Sequence, residues 1–137
     1  MENYFHMHMD ARQVGAISNL GLAHIGDGVF ELLTRSWLCG HERLTVGRMH
    51  KDTISLVQAK AQAKFADKLL PLLSEEEKAF YRRGKNSHVL AGPMSCTPAE
   101  YAKATGLEAL FGALYLLGRT DRINEIFVTV MEELYGI

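Results

Sequence analysis

Apolar residues recur at helical spacing along most of the chain, and no stretch shows the sustained alternation expected of a β-strand. The clearest pattern is LGLAHIGDGVFELLTRSWL at residues 20–38, for which Asn19 is the predicted N-cap and Gly40 the predicted stop. Asp10 is suited to cap a shorter helix over residues 11–18. These features predict an all-α protein.

A long helix is predicted from Thr45 to about Leu70, where Pro71 would end it. The prediction rests on an apolar stripe at helical spacing, which comprises Ile54, Val57, Ala61, Phe65 and Leu69.

Two capping boxes mark the next helix starts, because in each a hydroxyl residue precedes a glutamate by three positions. We expect the helix after the second box to have Pro98 in its first turn and to stop at Gly118. A last helix should begin at Thr120 and Asp121. The boxes are formed by Ser74 with Glu77 and by Thr97 with Glu100.

The length of 137 residues fits one domain, and a 47% hydrophobic content is sufficient for a packed core. We expect a lead-in with a short helix at residues 1–18 and a single domain at residues 19–137.

Cys39 and Cys96 match no zinc or disulfide spacing and are predicted to be free thiols. Because no apolar run reaches the ~18 residues of a membrane span, and no signal peptide is evident, the prediction is a cytoplasmic protein without a membrane partner.

Fifteen Lys and Arg residues against sixteen Asp and Glu residues give a formal net charge of −1. This balance excludes a basic nucleic-acid-binding arm but allows a local basic patch. Cations are densest just before Asn86, although a solvated helix face is the alternative interpretation of that run. The candidate contacts to a phosphate backbone are Arg83, Lys85, Asn86, His50 and Lys60.

Glu108 is the only charged residue between Ala104 and Gly118, in a predicted helix that is apolar on every side. Such a helix is normally buried, and burial of a lone carboxylate is costly or neutralises it. Glu108 therefore requires a metal, a cation or a hydrogen-bonding partner. A structural salt bridge or a capping contact is the alternative to a metal site.

Asp27 lies between Gly26 and Gly28 in the middle of a predicted helix. Each glycine there costs roughly 1 kcal/mol relative to alanine, which is tolerated where another backbone or a ligand approaches closely. Glu31 would either share this site or pair with Arg35 one turn on. The alternative is an exposed aspartate beside glycines that serve packing.

Taken together, Asp27 and Glu108 suit a hard divalent cation, because they are carboxylates with little local compensation on different predicted helices. Mg²⁺ binds through one or two carboxylates, completed by waters and substrate phosphate. That combination is typical of phosphodiester chemistry.

The segment LAHIGDGVFELLTRSWL resembles the signature helix of Mini-ribonuclease III, a compact relative of ribonuclease III, which reads roughly L-A-Y-I-G-D-A-V-F/Y-E. The likeness continues in the family's order through MHKDTISLVQAKAQA, SEEEKAFYRRGKN and YAKATGLEALFGALYLLGR. It covers most of residues 20–122, and the matching blocks are in register.

The resemblance implies the helical fold of the ribonuclease III endonuclease domain over residues 19–137, acting as a homodimer. It implies Mg²⁺-dependent cleavage of double-stranded RNA, with Mn²⁺ as a substitute cofactor, leaving 5′-phosphate and 3′-hydroxyl ends. Maturation of the 23S ribosomal RNA precursor is the implied task, and a ribosomal protein an expected further partner. Asp27 falls at the family's catalytic aspartate and Glu108 at its metal-binding glutamate, so both are expected to bind metal and to be catalytic.

The chain departs from the family pattern at several positions. His24 replaces an aromatic residue of the signature helix, which is expected to affect dimer packing. His88 and Met94 stand where compact members tend to carry lysines, which is expected to affect RNA binding. Larger ribonuclease III enzymes have carboxylates, and the compact branch does not, at the positions of Leu20, Ala23 and Thr105.

Two other classes of protein fit part of the sequence. A catalytically silent RNA-binding or ribosome-assembly module would share the fold, and a helical protein-interaction domain would have no role with RNA. The presence of both Asp27 and Glu108 favours the enzyme over either alternative.

Overall fold

A computed structural model of the chain describes residues 1–41, 45–87 and 95–136, and the regular structure within these ranges is entirely helical. The prediction of an all-α fold is therefore confirmed. No helix in the described ranges is both long and apolar enough to cross a membrane. The helices are α1 (Ala11–Gly15), α2 (Asn19–Gly40), α3 (Val46–Val57), α4 (Ala59–Leu69), α5 (Glu75–Lys85), α6 (Pro98–Leu116) and α7 (Thr120–Tyr135), with a 3₁₀ turn at Leu70–Leu72.

The predicted capping residues begin three of these helices. In α1, α5 and α6 the N-cap side chain accepts a hydrogen bond from the backbone N–H three residues on, and the side chain at that position accepts one in return. Helix α2 differs, because Ser18 rather than Asn19 is its N-cap, and Ser18 Oγ accepts from the Gly21 N–H at 3.0 Å. Helix α1 is also shorter than predicted and ends at Gly15.

The prediction of a single long helix between Thr45 and Leu70 is wrong. The chain turns at Gln58, whose backbone is extended (φ −64°, ψ 147°), and α3 and α4 are separate helices. The reason is tertiary: α3 packs against α2, whereas α4 packs against α6 and α7. The apolar stripe is accordingly divided, since Ile54 is 45% exposed while Phe65 and Leu69 are buried.

Helix α6 lies at the centre of the molecule, between α2, α4 and α5. Eleven of its nineteen residues are buried, as expected for a helix that is apolar all round. At one level of the core, Phe111 of α6 meets Phe30 of α2 and Phe65 of α4, with ring centroids 5.8 and 6.2 Å away. Phe127 of α7 completes the cluster, 5.9 Å from Phe30. Such tilted and edge-on contacts add stability beyond the area they bury.

Helices α5 and α6 approach to backbone contact. A Cβ atom on Gly84 would lie 2.6 Å from the Ala109 Cβ and 2.7 Å from the Thr105 carbonyl oxygen. A Cβ atom on Gly106 would lie 2.8 Å from the Tyr81 carbonyl oxygen. No ordinary side chain fits at either position, so these glycines fix one side of α6 against α5.

An ion pair between the half-buried Arg122 and the buried Glu77 attaches α5 to α7. Arg122 Nε and Nη2 donate to the two carboxylate oxygens of Glu77 at 2.8 and 2.9 Å. The same carboxylate accepts from the Ser74 N–H at 2.8 Å, which closes the capping box of α5. The hydrogen bonds from Arg122 lower the pKa of Glu77 despite its burial. The first turn of α5 is thereby fixed independently of its glycine contact with α6.

Candidate functional site

The two carboxylates singled out in the sequence are brought together by a second glycine contact, between α2 and α6. A Cβ atom on Gly26 would lie 1.6 Å from the Glu108 carbonyl oxygen, and one on Gly112 would lie 2.0 Å from the Leu22 carbonyl oxygen. The helices therefore cross with their backbones touching at Gly26. Asp27 follows Gly26 directly, so the crossing places its side chain beside that of Glu108.

Asp27 and Glu108 face an open cleft of about 350 Å³ between α2, α4 and α6. Asp27 is exposed at the edge of the cleft, whereas Glu108 is half-buried. The positions at which larger ribonuclease III enzymes carry further carboxylates, Leu20, Ala23 and Thr105, line the same cleft. This chain has no carboxylate at these three positions, and His24 and Tyr101 also line the cleft.

Glu108 has a strongly perturbed titration. Burial, together with the hydrogen bond and negative charge of Asp27, raises its pKa to about 8, and a hydrogen bond from Gln62 partly offsets these effects. With a pKa of about 8, Glu108 keeps its proton near neutral pH in the metal-free protein. Within the described residues, no Lys, Arg or His forms a salt bridge with either carboxylate. The alternative of a structural salt bridge at Glu108 finds no support there.

The donor set suits a hard divalent cation. Carboxylate oxygens are the ligands that Mg²⁺ prefers, and it needs only one or two of them when waters and phosphate complete its shell. In the described part of the chain no group of three or more His, Cys, Asp or Glu side chains is arranged to bind a metal. The site is therefore open, unlike a structural zinc site closed by four protein ligands.

The neighbours of Asp27 resolve two questions that the sequence left open. Glu31 pairs with Arg35 at 3.7 Å on the exposed face of α2 and does not line the cleft. A Cβ atom added to Gly28 would meet no heavy atom of another described element within 4 Å. Of the two glycines that flank Asp27, only Gly26 is required by packing.

Sequence reasoning missed Gln62 of α4, which lines the cleft and is only 3% exposed. A signal was present, because Gln62 precedes Phe65 and Leu69 by three and seven residues and so shares the buried face of the helix. A polar side chain at such a position needs a partner in the interior. Glu108 is that partner.

The predicted RNA contacts occupy several helices. Lys85 and Asn86 are exposed at the end of α5, Lys60 is exposed in the first turn of α4, and His50 is exposed on α3. His50 lines a hollow away from the carboxylates, together with Arg35 and Thr53. His88 and Met94, which the sequence marks as departures from the family pattern, lie outside the described residues.

Arg83 already has partners within the protein. Its Nε donates to Asn19 Oδ1 at 2.7 Å, and its Nη2 donates to the Ile17 carbonyl oxygen at 2.8 Å. These bonds attach α5 to the start of α2, the helix that carries Asp27. Any contact of Arg83 with RNA would have to be made alongside them.

Comparison with known proteins agrees with this geometry. The sequence profile of the family described as Ribonuclease III domain matches residues 20–119. Mini-ribonuclease 3 of Symbiobacterium thermophilum is 41% identical over 107 residues, which cover 78% of this chain and 82% of the relative. Mini-ribonuclease 3 of a Thermoanaerobacter species is 41% identical over 121 residues, covering 86% and 85%. A crystal structure of a protein from Fusobacterium nucleatum is 36% identical, with a TM-score of 0.77 over 85% of this chain and 89% of that one.

The fold and the family match define the class of protein, which is an endoribonuclease of the ribonuclease III type. Within that class the chain belongs to the Mini-ribonuclease 3 family, as the sequence resemblance indicated.

The raised pKa of Glu108 makes a prediction about stability without metal. A carboxyl whose pKa is raised in the folded state stabilises the protein below its unfolded pKa, and that contribution is lost as the pH rises through the folded value of about 8. In chelator, Glu108→Gln should therefore melt several degrees above wild type at about pH 9, with the difference shrinking towards about pH 5. Thermal unfolding at the two pH values is the measurement.

The exposed residue Glu132 of α7 provides the control, and Glu132→Gln should follow wild type at both pH values. A Glu108→Gln variant with the same pH dependence as wild type would contradict the raised pKa of Glu108.

Proposed function

We propose that the protein is a divalent-metal-dependent endoribonuclease that cleaves double-stranded RNA at the cleft containing Asp27 and Glu108. The observation that carries the proposal is the contact of these carboxylates, without a cationic partner among the described residues, in a chain of the ribonuclease III family. A paired carboxylate site with a raised pKa is costly for a fold. A bound cation offsets that cost.

The two carboxylates have different roles in this proposal. Glu108 belongs to the buried helix α6, which fixes its position. Asp27 lies at the exposed edge of the cleft, where a phosphate can approach. Both would hold Mg²⁺, or Mn²⁺ in its place. The bound ion would supply charge neutralisation at the attacked phosphate and an activated water, with 5′-phosphate and 3′-hydroxyl ends as the products. No other carboxylate of the described residues lines the cleft, so water and substrate would complete the coordination shell.

The test is cleavage of a long double-stranded RNA by purified protein, with Mg²⁺ or with chelator. Asp27→Asn and Glu108→Gln should each lose activity on the order of 100- to 1,000-fold, because each removes several kcal/mol of charge stabilisation. Matched exchanges on α7, Asp121→Asn and Glu132→Gln, concern exposed residues and should leave the rate unchanged.

Cleavage that persists in chelator, or in Asp27→Asn, would contradict the proposal. Folded wild-type protein that binds the RNA and never cuts it would instead identify a silent RNA-binding or ribosome-assembly module on the same fold.

We propose that RNA is held by Lys60 on α4, by Lys85 and Asn86 at the end of α5, by His50 on α3, and by Arg83 alongside its bonds within the protein. A net charge of −1 makes such a local patch necessary, since RNA binding is dominated by phosphate contacts. Two copies of the patch related by a twofold axis would present it along a duplex, which favours a homodimer. Exposed apolar side chains on the neighbouring helices α2 and α3, including Leu32 and Val46, support self-association.

The natural substrate that we propose is the precursor of 23S ribosomal RNA in the cytoplasm, presented by a ribosomal protein. This assignment rests on the family resemblance, and the readout is the change in precursor ends when the cleavage assay is repeated on that RNA with candidate ribosomal proteins. The sedimentation of the active species would give its oligomeric state.

The RNA patch predicts a salt dependence. Lys85→Ala and Lys60→Ala should each weaken RNA binding similarly for all sequences and reduce the slope of log affinity against log salt by about 1 for each phosphate that is no longer bound. Lys68 serves as the control, because it pairs with Glu133 at 3.3 Å on α7. Binding titrations at several salt concentrations measure the slopes. Slopes equal to that of Lys68→Ala would remove Lys85 and Lys60 from the interface.

A further inference from the structure

Gln62 is a polar side chain in an apolar setting. It is 3% exposed on α4, a helix whose other buried residues are Ala63, Phe65, Ala66 and Leu69. A buried amide must be hydrogen-bonded, because an unpaired one costs about 1 to 3 kcal/mol. Over the described residues, the only buried side-chain polar atom without a partner is Tyr81 Oη, so the buried atoms of Gln62 are satisfied.

The partner of Gln62 is Glu108, across the cleft floor on α6. A glutamine NH₂ donates to a carboxylate oxygen, and it stabilises the charged form of that carboxylate. Glu108 therefore has two partners of different chemistry in the cleft, the carboxyl group of Asp27 on α2 and the amide of Gln62 on α4. The carboxylate is positioned by three helices.

Glutamine can donate a hydrogen bond to Glu108 without adding a charge to the site. A leucine of similar size would fill the space and leave Glu108 without a donor. A glutamate would place a third carboxyl group beside the two that are already there. An arginine would supply a donor, but its positive charge would compete with a bound metal ion.

We infer that Gln62 is a positioning residue for the metal site: its amide donates to Glu108 and fixes that carboxylate against Asp27 at the floor of the cleft. The inference rests on the proposed function, since it assigns how one of the two proposed metal ligands is held. In this arrangement Gln62 contacts the proposed metal ligand Glu108 through its side chain and is not itself a ligand. Loss of a group that orients a metal ligand through a hydrogen bond typically costs about 10- to 100-fold in metal affinity or activity.

The test is Gln62→Met, which keeps an unbranched side chain of similar volume and removes the donor. Mn²⁺ binding to the RNA-free protein, followed by electron paramagnetic resonance, should weaken at least tenfold. The Mg²⁺ concentration for half-maximal RNA cleavage should rise in parallel. A purely structural role would lower thermal stability without moving the Mn²⁺ affinity.

Gln58 offers a matched control four residues earlier. It is exposed at the start of α4, makes no capping hydrogen bond through its side chain and does not line the cleft. Gln58→Met should retain wild-type Mn²⁺ affinity and cleavage. Gln62→Met with the Mn²⁺ affinity of Gln58→Met would overturn the inference, whereas wild-type protein that neither binds Mn²⁺ nor cuts RNA would overturn the proposed function.

A second measurement on wild-type protein decides the matter if Gln62→Met does not fold. The chain has three glutamines, and Gln13 and Gln58 are exposed. Of the three glutamine side-chain amides, only that of Gln62 should therefore be protected from hydrogen exchange in nuclear magnetic resonance spectra. Its resonance should shift when Mg²⁺ is added. Rapid exchange of all three glutamine amides, or a protected glutamine amide whose resonance does not respond to Mg²⁺, would contradict the hydrogen bond to Glu108.

Discussion

The contact of two helix backbones at Gly26 is the constraint on which the rest of the structure depends. Helices α2 and α6 approach so closely that a single methyl group on Gly26 would overlap the carbonyl oxygen of Glu108. Interiors are packed densely enough that such an overlap cannot be absorbed by small shifts alone. Because Asp27 is the next residue along α2, its position relative to Glu108 follows directly from this contact. The carboxylate pair is a property of the helix crossing.

The central position of α6 explains the placement of Glu108, the only charged residue of this helix after Lys103. Glycine contacts fix α6 against α2 on one side and α5 on the other, and the aromatic cluster fixes it at a further level. These contacts fix the backbone of Glu108, whose side chain is partly buried in the cleft. The free-energy cost of its burial is therefore retained in the metal-free protein, as the pKa of about 8 for Glu108 records. A cation bound between Glu108 and Asp27 would offset that cost, which couples occupancy of the proposed site to stability.

Local signals in the sequence were sufficient for most helix boundaries and for the carboxylate pair. Capping boxes such as Ser74 with Glu77 act over three residues, and a lone charge such as Glu108 in an apolar helix is visible without any tertiary knowledge. The break at Gln58 was not visible, because it carries no glycine or proline and results from α3 and α4 packing on different neighbours. The helical spacing indicates that Gln62 is buried, but its partner Glu108 lies 46 residues away and was not visible. The partners of Arg83 are 64 and 66 residues away and were not visible either.

The most direct test of the helix-crossing account compares alanine at the two glycines that flank Asp27. Gly28→Ala meets open space among the described residues, so it should raise the free energy of unfolding by up to about 1 kcal/mol through helix propensity alone. Gly26→Ala should lower it by about 3 kcal/mol or more, because its Cβ would lie 1.6 Å from the Glu108 carbonyl oxygen. Urea unfolding of both variants beside wild type gives the two values. A Gly26→Ala protein as stable as Gly28→Ala, with unchanged Mn²⁺ binding, would contradict the account.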